Sequence, residues 1–358
     1  MAARAPPATG DGVCTLLSGG DVAPIRQDHT DLFGEATPLI RGADVALCNL
    51  EIALTDKGTP VRGKSITKRG GPAAIPAMVE AGFDAVNMAN NHVLDYGEDA
   101  LTDCLLRIDA AGLPRFGVGR DAEDAAAAVT LTRNGLRIGL LGYTSTLPQG
   151  FAAAATRPGV NALRAGTSYR QLRNPEEYPG SALIVDTWAV ADDLARMQAD
   201  IRRLKASVDI VLVYQHWGAS MTEAVLAFQR EIGKAAIDAG AAGVFGGHQH
   251  VVSAIEFHAG CPIVHGMGNL LFDVFVPFLT EVTHRTFLFE ATMTKAGLSD
   301  CAIRPARAGV TGVYDRPALL PPSGATGQRI IDAIARLSEP FGTRFSIAGD
   351  RVAVAPPI

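Results

Sequence analysis

Residues 209–250 read DIVLVYQHWGASMTEAVLAFQREIGKAAIDAGAAGVFGGHQH. DIVLVY is a short apolar, β-branched run, EAVLAFQREIGKAAIDAG carries helical spacing, and GVFG is a second short strand. Strand, helix and strand in this order form a βαβ unit and imply parallel pairing. His216 falls just past the first strand, and His248 and His250 just past the second. In an open α/β sheet those strand ends share one edge, where ligand sites form. Taken alone, a His-x-His pair in a polar loop fits a solvated turn as well as it fits a metal site.

The same placement recurs upstream. Asp21 follows CTLLSGG, Glu51 closes DVALCNL, and Asn91 and His92 follow the strand DAVNMA. Helical stretches separate these strands: TDLFGEATPLIRGA, PAAIPAMVEAGF, EDALTDCLLRIDAAG and VADDLARMQADIRRLKAS, the last with acids early and bases late. Each residue has a structural reading: Asp21 as a turn or cap, Glu51 as an exposed strand-end acid, NNH as an asparagine turn, His216 as packing on Trp217. Five βα units that all end in an acid, amide or imidazole make a shared site the better account. The fold class expected is therefore α/β.

Composition narrows the function. The 358 residues carry a net charge of −5, with 47% hydrophobic and 19% charged residues, so there is no electrostatic case for a nucleic-acid partner. Five cysteines form no C-x-x-C pair and read as free thiols of a reducing compartment. The stretch 1–12, MAARAPPATGDG, lacks the apolar region of a signal peptide and reads as a disordered tail, and no apolar run is long enough for a bilayer span. The expectation is a cytoplasmic protein of one domain over 13–358, with no membrane partner; the oligomeric state stays open.

Asp21, Glu51, Asn91, His216, His248 and His250 form a mixed oxygen and nitrogen ligand set suited to Zn, Mn or Fe, as one or two divalent ions. Such sites activate water for hydrolysis.

The motifs GGDV, CNLEIALTDKG, MANNHVLDYG, QHWG, GGHQH and GMGNLLFD, in this order from Val13 to Asp273, resemble the CapA family of poly-gamma-glutamate capsule proteins. These are relatives of the calcineurin-like metallophosphoesterases, and LSEPFGTRFSIAGDRVAV also looks like a family C-terminus. The resemblance implies a four-layer αββα sandwich with a dinuclear site on one edge. It implies that Asp21 and His250 hold a first ion, that Glu51 bridges, and that Asn91, His216 and His248 hold a second. His92 would be the general acid or phosphate-orienting group, with a metal-bound hydroxide attacking a phosphoester. An amide or gamma-glutamyl bond is the alternative substrate, and a non-catalytic biosynthetic component is a further one. Where the wider superfamily has Asp-x-His, this chain has Asp21-Val22-Ala23, so one first-ion ligand is absent; His29 is the nearby histidine.

Lys64, Lys68 and Arg69 in RGKSITKRGGP would meet a small anionic or peptide-like substrate, or simply face solvent. Asn269 would anchor the site by hydrogen bonding, Asp273 would support it, and Asp95 would orient a histidine. GRDAEDA reads as a helix start. Residues 150–187 break the periodic pattern and read as an insertion or a lid, carrying Arg157, Arg164, Arg170 and Arg173.

Overall fold

The strand and helix signals resolve, in a computed structural model describing residues 12–273, 280–310, 313 and 315–358, into a mixed α/β fold with two main sheets. The 1–12 tail, apart from Gly12, lies outside the described residues. The first sheet runs in the order 344–348, 351–355, 297–307, 285–294, 14–23, 45–50, 85–87, 115–116. Its last four strands pair in parallel and carry Asp21 and the segments leading to Glu51 and Asn91. The second sheet runs 255–258, 261–264, 243–247, 210–216, 136–144, 129–133, with 210–216 parallel to both neighbours.

Side-chain alternation along the strands divides the core into three. Leu16, Val45, Leu47 and Ala85 of the first sheet pack with Ile210, Leu212, Tyr214 and Phe245 of the second. Ser18 Oγ meets Tyr214 Oη at 2.5 Å inside this layer. Leu17, Ala46, Cys48 and Val86 point the other way, onto Met78 of the helix Ala74–Ala81 and Leu101 and Leu105 of Glu98–Ala110. Val211, Val213 and Val244 pack against Ile201 of Ala191–Lys205 and Ile232 of Ala227–Asp238. Strands covered on both faces read as continuous apolar runs, which is why IVLVYQH is buried throughout.

Several local expectations change. TDLFGEATPLIRGA yields only a 3-10 turn, Gly34–Ala36, and the helix Thr37–Gly42. Gly34 takes φ 49°, a left-handed conformation that interrupts a helix, and Pro38 suits only a helix's first turn. GRDAEDA does start a helix, Ala122–Ala126, capped by Asp121 accepting from the Asp124 amide. The substantially parallel pairing expected is present, and 285–294 and 297–307 add an antiparallel pair beside the first strand. All five cysteines are free.

The 150–187 stretch contributes a two-residue strand, Gly159–Val160, and most of an antiparallel hairpin, Ala165–Gln171 with Leu183–Ala189. The root packs on the helix Ala227–Asp238, where the Phe228 amide donates to Thr187 Oγ1. Further out, Tyr169 opposes Val185 and Gln171 opposes Leu183, with Tyr169 68%, Val185 50% and Leu183 59% exposed. Arg164 pairs with Asp193, Arg170 with Asp186, Arg157 donates to the Ala152 carbonyl, and Arg173 lies over the Tyr178 ring. No helix among the described residues is long and apolar enough to cross a membrane.

Candidate metal centre

Asp21 lies where the first strand changes partner. As far as Ser18 that strand pairs antiparallel with 285–294; from Asp21 onward it runs parallel to Asn269–Phe272, with a register shift on each side of Asp21. Such irregularities are common near functional sites. Glu51 is the first residue past Val45–Leu50, and His216 is the last residue of Ile210–His216. His248 and His250 follow Gly243–Gly247 with φ of 89° and 57°. Positive φ costs a non-glycine residue about 1–3 kcal/mol, and such strain gathers at functional sites. Gly247 is required there: a Cβ would lie 2.4 Å from Asp21 Oδ1.

The donor atoms of Asp21, Glu51 and His250, all buried, lie within 4.8 Å of one another. His250 Nε2 is 3.6 Å from Glu51 Oε1, and His250 Nδ1 is 2.9 Å from Asn269 Oδ1. With Nδ1–H donated to Asn269, the Nε2 lone pair faces the carboxylate, the tautomer a metal ligand needs. Asn269 is held in turn by donating to the Thr283 carbonyl. Neither oxygen of Glu51 has a hydrogen-bond partner among the described residues, and neither has Nδ1 of His248. Buried polar atoms left this way are uncommon in a folded protein. The Glu51 oxygens lie in the Asp21–Glu51–His250 group, whose oxygen and nitrogen donor set suits a divalent ion. The residues fit a metal.

The second expected set is less gathered. His216 Nε2 lies 2.9 Å from Asn91 Oδ1, and the His216 and His248 rings sit 4.8 Å apart. Asp21, Glu51, Asn91, His216, His248 and His250 thus share one region of the sheet edges. His29 is not part of the Asp21–Glu51–His250 group; its surroundings are Asp273, Asp28 and Arg26. Asp273 binds Arg26 and the amides of Ile25 and Arg26, a bracing role at the end of the first strand.

Burial governs the electrostatics. It pushes the Asp21 carboxyl up to about 8, reinforced by Glu51, and the Glu51 carboxyl up to about 7 against the pull of Lys68. Burial takes His248 down to about 3 and His250 to about 4, and it holds His216 and His92 well below the ordinary histidine range. Neutral imidazoles are the form that binds metals.

His92 Nε2 sits 3.8 Å from Glu51 Oε1, and its Nδ1 is 2.6 Å from Asp95 Oδ2. Asp95 also accepts from Lys64 Nζ and, at 2.7 Å, from the Lys68 amide. Arg69 is placed elsewhere: its guanidinium donates to the carbonyls of Asp56, Lys57 and Gly58 and covers the Tyr96 ring.

Sequence reasoning passed over Asn49. Its Nδ2 donates to Asp21 Oδ1 at 2.8 Å, and its Oδ1 accepts from Asn87 and Asn90. An asparagine inside the otherwise apolar strand VALCNL was the available signal.

The fold and these side chains define a class, that of mixed α/β proteins with a buried Asp/Glu/His group able to hold a metal on the strand ends. Residues 8–274 match the bacterial capsule synthesis protein family PGA_cap, and the chain belongs to that family. It is 26% identical to the capsule biosynthesis protein CapA of Bacillus anthracis over 245 residues, covering 68% of this chain and 54% of that one. The PGA biosynthesis protein CapA of Bacillus subtilis is 29% identical, covering 68% and 57%. A probable polyglutamine synthesis accessory protein of Mycobacterium tuberculosis is 30% identical, covering 70% and 62%. The chain thus spans little more than half the length of these relatives.

Proposed function

We propose that this protein is a metal-dependent hydrolase acting on a phosphoester, built as the four-layer αββα sandwich of calcineurin-like phosphoesterases. The three-part core supports that layering, since each main sheet shares one face with the other sheet and covers the opposite face with helices. The observation that carries the activity is the buried Asp21–Glu51–His250 group, with both Glu51 oxygens unpartnered among the described residues. A bound divalent ion supplies Lewis acidity and activates water. The chain's own residues do the rest. Asn269 and Asn49 orient His250 and Asp21. Asp95 accepts Nδ1–H of His92, which leaves the Nε2 lone pair to take a proton from the attacking water and pass it to the leaving group. Asn91, His216 and His248 are the residues for a second ion.

A second reading keeps the metal and changes the bond to an amide or gamma-glutamyl linkage. The relatives' names, which refer to capsule, PGA and polyglutamine synthesis, favour it. Elemental analysis for Zn, Mn and Fe, with assays on an aryl phosphate and a gamma-glutamyl dipeptide, separates the readings. We expect one or two ions per chain and phosphatase activity lost on chelation. A protein that binds no metal, or whose activity survives Glu51→Ala, ends the hydrolase proposal.

A further inference from the structure

The stretch 64–69 carries three cations, Lys64, Lys68 and Arg69, and the structure separates their tasks. The Lys64 ammonium donates to Asp95 Oδ1 and to the Asn91 carbonyl. Arg69 is bound to the carbonyls of 56–58. Lys68 differs from both. The residue is only 6% exposed, yet its ammonium makes no hydrogen bond among the described residues. It rests 4.3 Å from the centroid of the Phe272 ring and 3.9 Å from Glu51 Oε1, too far for a hydrogen bond. An ammonium this enclosed, with no acceptor from the described residues but still reachable at its nitrogen, is placed to bind an acceptor that enters the site.

We propose that Lys68 is the anion-anchoring residue of this site, binding an oxygen of a phosphate or carboxylate group that also meets the metal. The inference rests on the metal reading above and names the substrate's chemical class. Charge supports it. Two carboxylates and one ammonium surround the centre, so a divalent ion leaves one net positive charge beside unmet donors. A neutral ligand would leave that charge unbalanced. An anionic oxygen lying between the ion and Lys68 balances it and accepts the free N–H groups. Lys64 is instead a positioning residue, holding the Asp95–His92 pair.

The test is titration calorimetry with inorganic phosphate and, separately, glutarate, on the Mn-loaded and metal-free protein, with Mn affinity measured on its own. Lys68→Met should weaken anion binding by at least about 10-fold, the loss of a charged hydrogen bond. Mn affinity should stay equal or tighten, because a cation beside Glu51 is gone. Lys68→Arg, which keeps the charge, should bind the anion within a few-fold of the parent. If only phosphate responds, the substrate is a phosphate compound; if only glutarate, a carboxylate. Unchanged anion binding in Lys68→Met, loss of Mn affinity in step with it, or no anion binding by the parent overturns the proposal. If the parent binds no Mn, the metal reading fails separately. The metal-free titration then decides: Lys68-dependent phosphate binding upholds the anchor, and Lys68-independent binding rejects it.

Discussion

Glu51 and Glu256 are both buried, at 0% and 3% exposure, and they meet opposite surroundings. Glu256, on the strand Ile255–His258, accepts from Arg230 at 2.9 and 3.0 Å, with Lys234 and His265 Nε2 each at 3.3 Å. Burial alone would raise its carboxyl, but the bonds from His265 and Arg230 outweigh that and draw it down to about 2. Glu51 accepts no hydrogen bond at either oxygen among the described residues, and burial drives it up to about 7. A buried carboxylate surrounded by its own counter-charges is complete and serves the architecture. One left with bare lone pairs beside Asp21 and His250 is set up to take a cation from outside the chain.

Substitution at Glu51 should give the largest effect. Glu51→Ala should cost at least about 100-fold in divalent-metal affinity by calorimetry, beyond the roughly 10–100-fold typical of groups that merely orient ligands. Metal affinity at the parent level would erase the contrast with Glu256. Next, Asp95→Asn should lower kcat/KM on the aryl phosphate by about 10–100-fold while metal content is kept. A variant that loses its metal instead would move Asp95 from orienting His92 to building the site.

Glu256→Gln should act on stability alone, costing about 1–3 kcal/mol in urea unfolding. That is less than the breaking of a fully buried pair, since Arg230 and Lys234 are partly exposed. Any change in metal affinity would count against a purely architectural role.

The two glutamates also predict opposite pH responses. Asp21 and Glu51 are raised in the fold, so their contribution to metal-free stability is full below pH about 4 and is lost as pH rises through 7 and 8. Glu256 is lowered, so its contribution holds above pH about 4.5 and fades as pH falls towards 2. Because the buried His92, His216, His248 and His250 are held below the ordinary range and favour the higher pH over the same interval, the carboxylate's contribution is read from a variant: the urea-midpoint advantage of the chelator-treated parent over Asp21→Asn should be larger at pH 5 than at pH 8. An advantage that grows with pH contradicts the assignment. Smallest of all, Tyr169→Ser or Val185→Ser on the exposed hairpin should shift stability by no more than about 0.5 kcal/mol.

Much of this was legible in the chain. The strand–helix alternation marked the parallel strands, and the polar residues at their ends pointed to one edge because period and position are local properties. The antiparallel pair 285–307 was not anticipated, since nothing nearby in sequence says which strand it joins. The separate tasks of Lys64, Lys68 and Arg69 were equally hidden: three cations within six residues look alike until their partners, from 56–58 to Phe272, are in place. His29 shows the reverse, close to Asp21 in sequence and outside its cluster in space.

The change of partner at Asp21 has a consequence for assembly. The strand carrying Asp21 changes partner there because two segments from the last third of the chain, 269–272 and 285–294, lie along one strand near its beginning. Loop closure over such separations is slow and comes late. Metal capture therefore reports a finished fold: a chain still lacking those segments holds the residues of the centre but not its shape.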